Sequence, residues 1–378
     1  MKQAPAPLGP GLDAKMGYRP GFDGMRGVSI LAIMLIHANV GWALGSFISV
    51  DVFFLLSGFL ITRLLVEEHL LTGRIALVQF YIRRALRLFP AMVVVLVACA
   101  VYGTIWLGHD QAVRSYHDVF ATATYRKNWE QALHEQPPYG LLDHAWTLSI
   151  EEQFYLLWPL VVIVAYRLAR TRGVLIAALA GVVASACWRT LLWHTGTPGY
   201  RLYYGLDTHA DGLLLGCALG ALTVLWPDLA RVMRRRIVRW AGPLALIVLL
   251  VLGNRLRLTS SGLDSWGNPL IALLIAVGAA DIYARGMVDR MLRVAPLVAF
   301  GRISYGLYLW HWPVFLVLNG ARVPLAFVPL TALRFVVSVA FAVASFFLVE
   351  QPFLRLKRRA EPTGRASEPT FDPQPTPG

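Results

Sequence analysis

The sequence predicts an all-α integral membrane protein, a polytopic bundle of about ten transmembrane helices. Three observations predict it. The 378 residues are 57% apolar and only 15% charged, whereas a soluble domain carries about 25% charged residues. Mean hydropathy is +0.55, and apolar runs of about 17–25 residues, long enough to cross hydrocarbon, recur from end to end. The basic residues gather in alternate loops between those runs.

Residues 1–18, rich in Pro and Gly, are expected to be a disordered cytoplasmic N-terminus. Spans are expected near 27–47, 50–67, 89–108, 145–166, 173–193, 203–226, 238–253, 266–284, 300–319 and 326–349. The first run, "GMRGVSILAIMLIHANVGWALG" from Gly24, is long for a signal peptide and leads directly into the second span. Residues 109–144 form the longest connection; its centre, "DVFATATYRKNW", is too polar for a span and suits a re-entrant or interfacial helix. One membrane domain should therefore cover 19–353, and 354–378 should form a basic, then Pro-rich, disordered cytoplasmic tail.

Lys and Arg set the orientation. With the N-terminus in the cytoplasm, that side holds about 25 basic residues and the other side about seven. The expected place is thus the cell's inner (plasma) membrane, multi-pass, with both termini cytoplasmic. The net charge of +13 would suggest nucleic acid in a soluble protein, but topology and lipid headgroups account for it here. No RNA-binding signature and no zinc-like Cys/His cluster is present, so neither nucleic acid nor a metal is expected. Cys99, Cys187 and Cys217 lie in apolar segments and read as small buried hydrophobes. No internal repeat supports an inverted-repeat transporter.

Several ionisable residues interrupt the apolar runs. Eleven residues separate Arg26 from His37, which places both on one helical stripe about 16 Å apart along the axis. His37 reads either as a histidine bonded to a neighbouring helix or as a general base. Arg26 reads either as a positive-inside anchor or as a fixed charge at a ligand mouth. Arg83, Arg84 and Arg87 in "GRIALVQFYIRRALRLFP" suit an interfacial helix on anionic lipid or a guanidinium cluster for phosphates. Glu151 and Glu152 in "HAWTLSIEEQFYLLWP" point about 100° apart, so at most one faces a given cavity centre. His311 lies between two tryptophans in "GRISYGLYLWHWPVF"; Asp51 suits a helix cap and Asp211 a packing role.

Together these stretches resemble the membrane-bound acyltransferase-3 family, from about Tyr18 to Phe353. "GFDGMRGVSILAIMLIHA" resembles its opening motif of Arg, ten residues, then His. "SVDVFFLLSGFLIT", the Arg84/Arg87 pair, "HAWTLSIEEQFYLLWP", "GRISYGLYLWHWP" and "VEQPF" follow in the family's order. The resemblance implies transfer of an acyl group, most often acetyl, from cytoplasmic acyl-CoA to a hydroxyl of an envelope glycan. It implies His37 as the catalytic base, with Glu151 and Glu152 in matching acidic positions. It makes Arg26, Arg84 and Arg87, with Arg83, the binders of CoA phosphates. Asp23, Asp51, His144, Asp211, Tyr305 and His311 are the further polar residues expected to touch substrate or hold the structure. Acyl-CoA is a co-substrate, and no cofactor is expected to be bound permanently. Many members append an SGNH hydrolase-like domain, which this sequence is expected to lack. An antibiotic-tailoring O-acyltransferase is the alternative acceptor class. A proton-coupled transporter using His37, His311 and Glu152 is the alternative of another kind.

Overall fold

The computed structural model describes residues 16–43, 45–134, 140–255 and 267–359. Those residues form helices and turns, with no strand among them. The chain opens with α1 (Pro20–His37), α2 (Ser49–Thr72), α3 (Leu77–Trp106), α4 (His109–Ala123) and α5 (Lys127–Leu133). There follow α6 (Trp146–His194), α7 (Gly199–Tyr204), α8 (Asp211–Leu225), α9 (Leu229–Met233), α10 (Ala241–Arg255) and α11 (Gly267–Tyr283). The last are α12 (Met287–Leu292), α13 (Ala295–Arg302), α14 (Ser304–Val317), α15 (Phe327–Ser345) and α16 (Gln351–Arg359). Five stretches are long and apolar enough to cross a membrane: Ser46–Thr72, Leu77–Trp106, Asp143–His194, Val238–Arg255 and Phe327–Arg355. The protein is an all-α, multi-pass membrane protein.

Helix runs through each of the ten expected stretches, but several boundaries differ from expectation. The first helix ends at His37, not at 47. Asn39 adopts left-handed φ of +59°, Val40 N–H bonds Leu35 O at 3.1 Å, and Asn39 N–H bonds Ile36 O at 2.9 Å. This is a Schellman stop with Asn in the left-handed position. The arginine-rich stretch and the third span are one helix, α3, which passes Pro90 without ending. The fourth and fifth spans meet inside α6 at a break where Arg170 has φ of +54°. The sixth and ninth stretches are each two helices, α7 with α8 and α13 with α14. Two helices, α4 and α5, fill most of the connection 109–144. The C-terminal helix continues to Arg359, within the stretch expected as tail; 1–15 and 360–378 lie outside the described residues.

Three apolar cores hold these helices together. One joins α1, α2, α11 and α12 through residues such as Phe22, Leu56, Phe59, Ile275 and Ile282. A second joins α1 to α3, α14 and α15 through Ile30, Met34, Met92, Leu307 and Phe315. A third packs α2, α6 and α8 around Phe54, Ile150, Trp158 and Leu213. Helix α1 belongs to two of the three, so its polar stripe faces the interior. It touches α13 backbone to backbone. A Cβ at Gly27 would strike Leu297 O, and one at Gly301 would strike Asp23 O. Glycine is therefore required at both positions for this approach. One cysteine departs from expectation. Cys99 and Cys217 are buried, but Cys187 is exposed, because it lies on the outward surface of α6.

Candidate active site

Two histidines 274 residues apart meet in the interior. His37 Nδ1 lies 2.8 Å from His311 Nε2, with the rings nearly parallel at 5.1 Å between centroids. The surroundings of His311 assign the protons. Its Nδ1 faces Leu307 O at 3.0 Å and Tyr308 O at 2.8 Å. Carbonyl oxygens only accept, so His311 Nδ1 carries the hydrogen and Nε2 keeps its lone pair. His37 Nδ1 must then donate to that lone pair. What remains on His37 is an unprotonated Nε2, the form a general base requires. His37 is also the last residue of α1, where the helix dipole favours positive charge. His311 is fully buried and His37 partly exposed. Trp312 closes over His37 edge-on at 4.6 Å and is held by Trp312 Nε1–H donating to Gly140 O at 2.9 Å. His144, 4% exposed, sets its ring at 5.3 Å from His311 and 5.2 Å from Tyr308.

A second cluster sits toward the other end of α1. Arg26 pairs with Asp23 at 3.5 Å, and Tyr18 donates to Asp23 at 2.7 Å. The charged neighbours of Arg26 include Arg87, Asp23 and Glu151. Arg84 stacks its guanidinium on Tyr155, 3.5 Å from the ring centroid, and its buried Nε has no hydrogen-bond partner among the described residues. Glu151 accepts a hydrogen bond from Ser57 at 2.8 Å. Glu152, one residue on, faces Arg84 and Tyr125. Arg83 points elsewhere and pairs with Glu68 at 3.5 Å. The guanidiniums of Arg26, Arg84 and the exposed Arg87 thus gather beside the carboxylates of Asp23, Glu151 and Glu152, and Arg supplies the fork geometry that a phosphate accepts.

A stripe on α6 links the two clusters. Thr147 shares a hydrogen bond with Tyr308 Oη at 2.5 Å, Glu151 holds Ser57, and Tyr155 lies under Arg84. These three residues recur every four positions, so they share one face over about 12 Å. The stripe's Glu151 and Tyr155 are neighbours of Arg26, and its Thr147 reaches the histidine pair through Tyr308. A cavity of ≈ 240 Å³ does lie beside α1, lined by Met25, Val28, Ala32, Leu249 and Ile275. Its α1 residues Met25, Val28 and Ala32 are rotated by about 100° or more from Arg26 and His37, with Ser29 about 60–80° away, and its lining is mainly apolar.

Other expected residues fall outside this line. Asp51 does not cap α2 through its side chain; it meets His209 Nε2 at 3.2 Å. Asp211 pairs with the fully buried Arg189. Tyr305 donates to Leu88 O at 2.7 Å and fixes α14 against α3. Glu350, in the "VEQPF" motif, was missed as a site residue; it is 7% exposed, sits in a π-helical turn and has Arg87 as a charged neighbour. Such turns often mark functional positions. Tyr308 and Trp312, also missed, flank His311 in its own motif. Above the histidines, Lys127 binds Asp118, Asp143 at 3.1 Å and Glu130 at 3.3 Å. Burial pushes Asp118 up to about 6, against the pull of Lys127. This cluster ties α4 and α5 to the turn that carries His144.

Residues 19–350 match the model of an acyltransferase domain family. The chain is 34% identical over 311 residues to the peptidoglycan O-acetyltransferase OatA of Listeria monocytogenes, covering 79% of this chain and 49% of that protein. It is 31% identical over 319 residues to the O-acetyltransferase OatA of Staphylococcus aureus, covering 80% of this chain and 51% of that protein. The chain thus spans about half the length of these relatives. No solved structure matches it. With the Arg–His stripe and the His311 motif brought together, the Arg84/Arg87 pair at the other end of that stripe, and the match running over nearly the whole described chain, this protein belongs to the acyltransferase-3 family.

Proposed function

We propose that the protein transfers an acetyl group from cytoplasmic acyl-CoA to a hydroxyl of a cell-envelope glycan. The observation that carries this reading is the His37–His311 pair, which leaves His37 Nε2 as a free base 11 residues above Arg26. The pyrophosphate of CoA binds Arg26, Arg84 and Arg87, and its pantetheine arm runs along the stripe of Tyr155, Glu151 and Thr147. The thioester then lies beside His37. His37 Nε2 takes the proton of the acceptor hydroxyl as that oxygen attacks the thioester carbonyl carbon. The tetrahedral intermediate collapses, the C–S bond breaks, and the CoA thiolate takes the proton back from His37. The products are the acetyl ester and CoA thiol. Glu151 and Glu152 position the acceptor or the arm from α6. The relatives' names support an O-acetyl acceptor in peptidoglycan or a similar wall polymer. They give no support to a transporter.

The full topology belongs to the same proposal: ten spans with both termini in the cytoplasm. Reporter fusions at residues 125 and 360 are expected to report opposite sides, and the same side for both would break the model of access from two faces. The donor reading is tested by thiol release from acetyl-CoA by the purified protein. Changing Arg84 and Arg87 together to Gln should raise KM for acetyl-CoA about tenfold or more with little change in KM for acceptor. An unchanged donor KM would reassign both arginines to lipid contact.

A further inference from the structure

We propose a second phosphate subsite at the cytoplasmic mouth, built by Arg19, Arg63 and Arg285, which takes the ribose 3′-phosphate of acyl-CoA. The proposal rests on the acyl-CoA reading above. Arg63 is only 7% exposed. Its Nε donates to Glu67 at 2.5 Å, and its guanidinium lies 5.2 Å from the centroid of the Tyr283 ring. Its buried Nη1 has no hydrogen-bond partner among the described residues. A buried guanidinium N–H left without an acceptor is unfavourable unless a ligand supplies one.

The turn after Tyr283 brings the next cation. Arg285 is exposed and has left-handed φ of +56°, a conformation few non-glycine residues adopt. Arg234 Nη1 donates to Ala284 O at 2.9 Å and holds that turn. Arg19 precedes α1 and has Arg285, Asp289 and Arg63 among its charged neighbours. Its Nε also has no hydrogen-bond partner among the described residues. Three guanidiniums here face Glu67 and Asp289, an excess of positive charge at the N-terminus of an 18-residue helix. Both the charge and the helix dipole favour a phosphate.

Order along α1 selects the ligand. Arg19 lies seven residues, about 10 Å, toward the cytoplasm from Arg26, and His37 lies about 16 Å the other way. Acyl-CoA carries its groups in the same order: ribose phosphate, pyrophosphate, thioester. A lipid phosphate offers similar chemistry to the same arginines, so the test must separate the two sources.

The test compares acetyl-CoA with acetyl-dephospho-CoA, which lacks only the 3′-phosphate, using the full chain in nanodiscs of zwitterionic or anionic lipid. The wild type should show a KM about tenfold higher for the dephospho donor, the scale of one charge-assisted contact. Arg63→Gln and Arg285→Gln should each raise KM for acetyl-CoA toward that value, with no matching rise for the dephospho donor. Arg285 is exposed and carries the test alone if Arg63→Gln does not fold. Equal use of both donors by an active wild type would overturn the subsite while leaving the donor reading intact. So would variants that change only the dependence on anionic lipid, which would assign the arginines to headgroups. An inactive wild type with both donors would instead overturn the donor reading, and the subsite with it.

Discussion

Replacing His37 with alanine should leave a folded protein that binds acyl-CoA and transfers acetyl at a rate lower by about 10² or more. The loss follows from the proton assignment. His311 Nδ1 is committed to Leu307 O and Tyr308 O and its Nε2 accepts from His37 Nδ1, so both ring nitrogens of His311 are engaged. His37 Nε2 is the lone pair that remains, at the partly exposed end of the pair. His37→Gln should be nearly as damaged, because an amide fills part of the space but takes no proton at neutral pH. Acetyl transfer by purified protein in nanodiscs measures the rate, with folding checked by chromatography and CoA binding. Near-normal transfer by a folded His37→Ala protein would sink the mechanism and turn attention to Glu152. A labelled acetyl group retained on the wild type without acceptor would mean that His37 Nε2 acts as nucleophile instead.

The parts of this arrangement legible in the sequence are those set by local periodicity. Arg26 and His37 share a stripe because eleven residues close three helical turns to within roughly 20°. The apolar stretches are helical because hydrocarbon requires internally satisfied backbone. The end of α1 carried a local signal that the apolar run concealed: Asn39, followed by Gly41, offers the left-handed stop seen in the structure. Long-range pairings had no such signal. Nothing local links His37 to His311, or Asp51 to His209 across 158 residues. Two adjacent glutamates likewise differ only in rotation, and the packing of α2 against α6 decides that Glu151, not Glu152, reaches Ser57. Glu350 was hidden because its importance comes from a π-helical turn that hydropathy does not mark.

His311 should behave as the residue that holds His37 in its productive tautomer, and two substitutions separate that role from simple packing. The site at 311 is fully buried beside Phe315, so His311→Leu should fold while removing the acceptor for His37 Nδ1–H. His37 is then free to carry its proton on Nε2, the wrong nitrogen for a base. The turnover number should fall by about 10²–10⁴, the range seen when an orienting acceptor is lost from a catalytic histidine. KM for acyl-CoA should stay near its original value, since Arg26, Arg84 and Arg87 lie far from the change. His311→Gln keeps a carbonyl oxygen that can accept from His37 Nδ1, and should recover at least about tenfold of the lost rate. A purely structural histidine would instead raise KM and lower stability together in both variants. Equal, severe loss in two folded variants would show that His311 itself takes part in proton transfer. The lone pair on His311 Nε2 would then be the end of a two-ring relay, with the proton moving from the acceptor through His37.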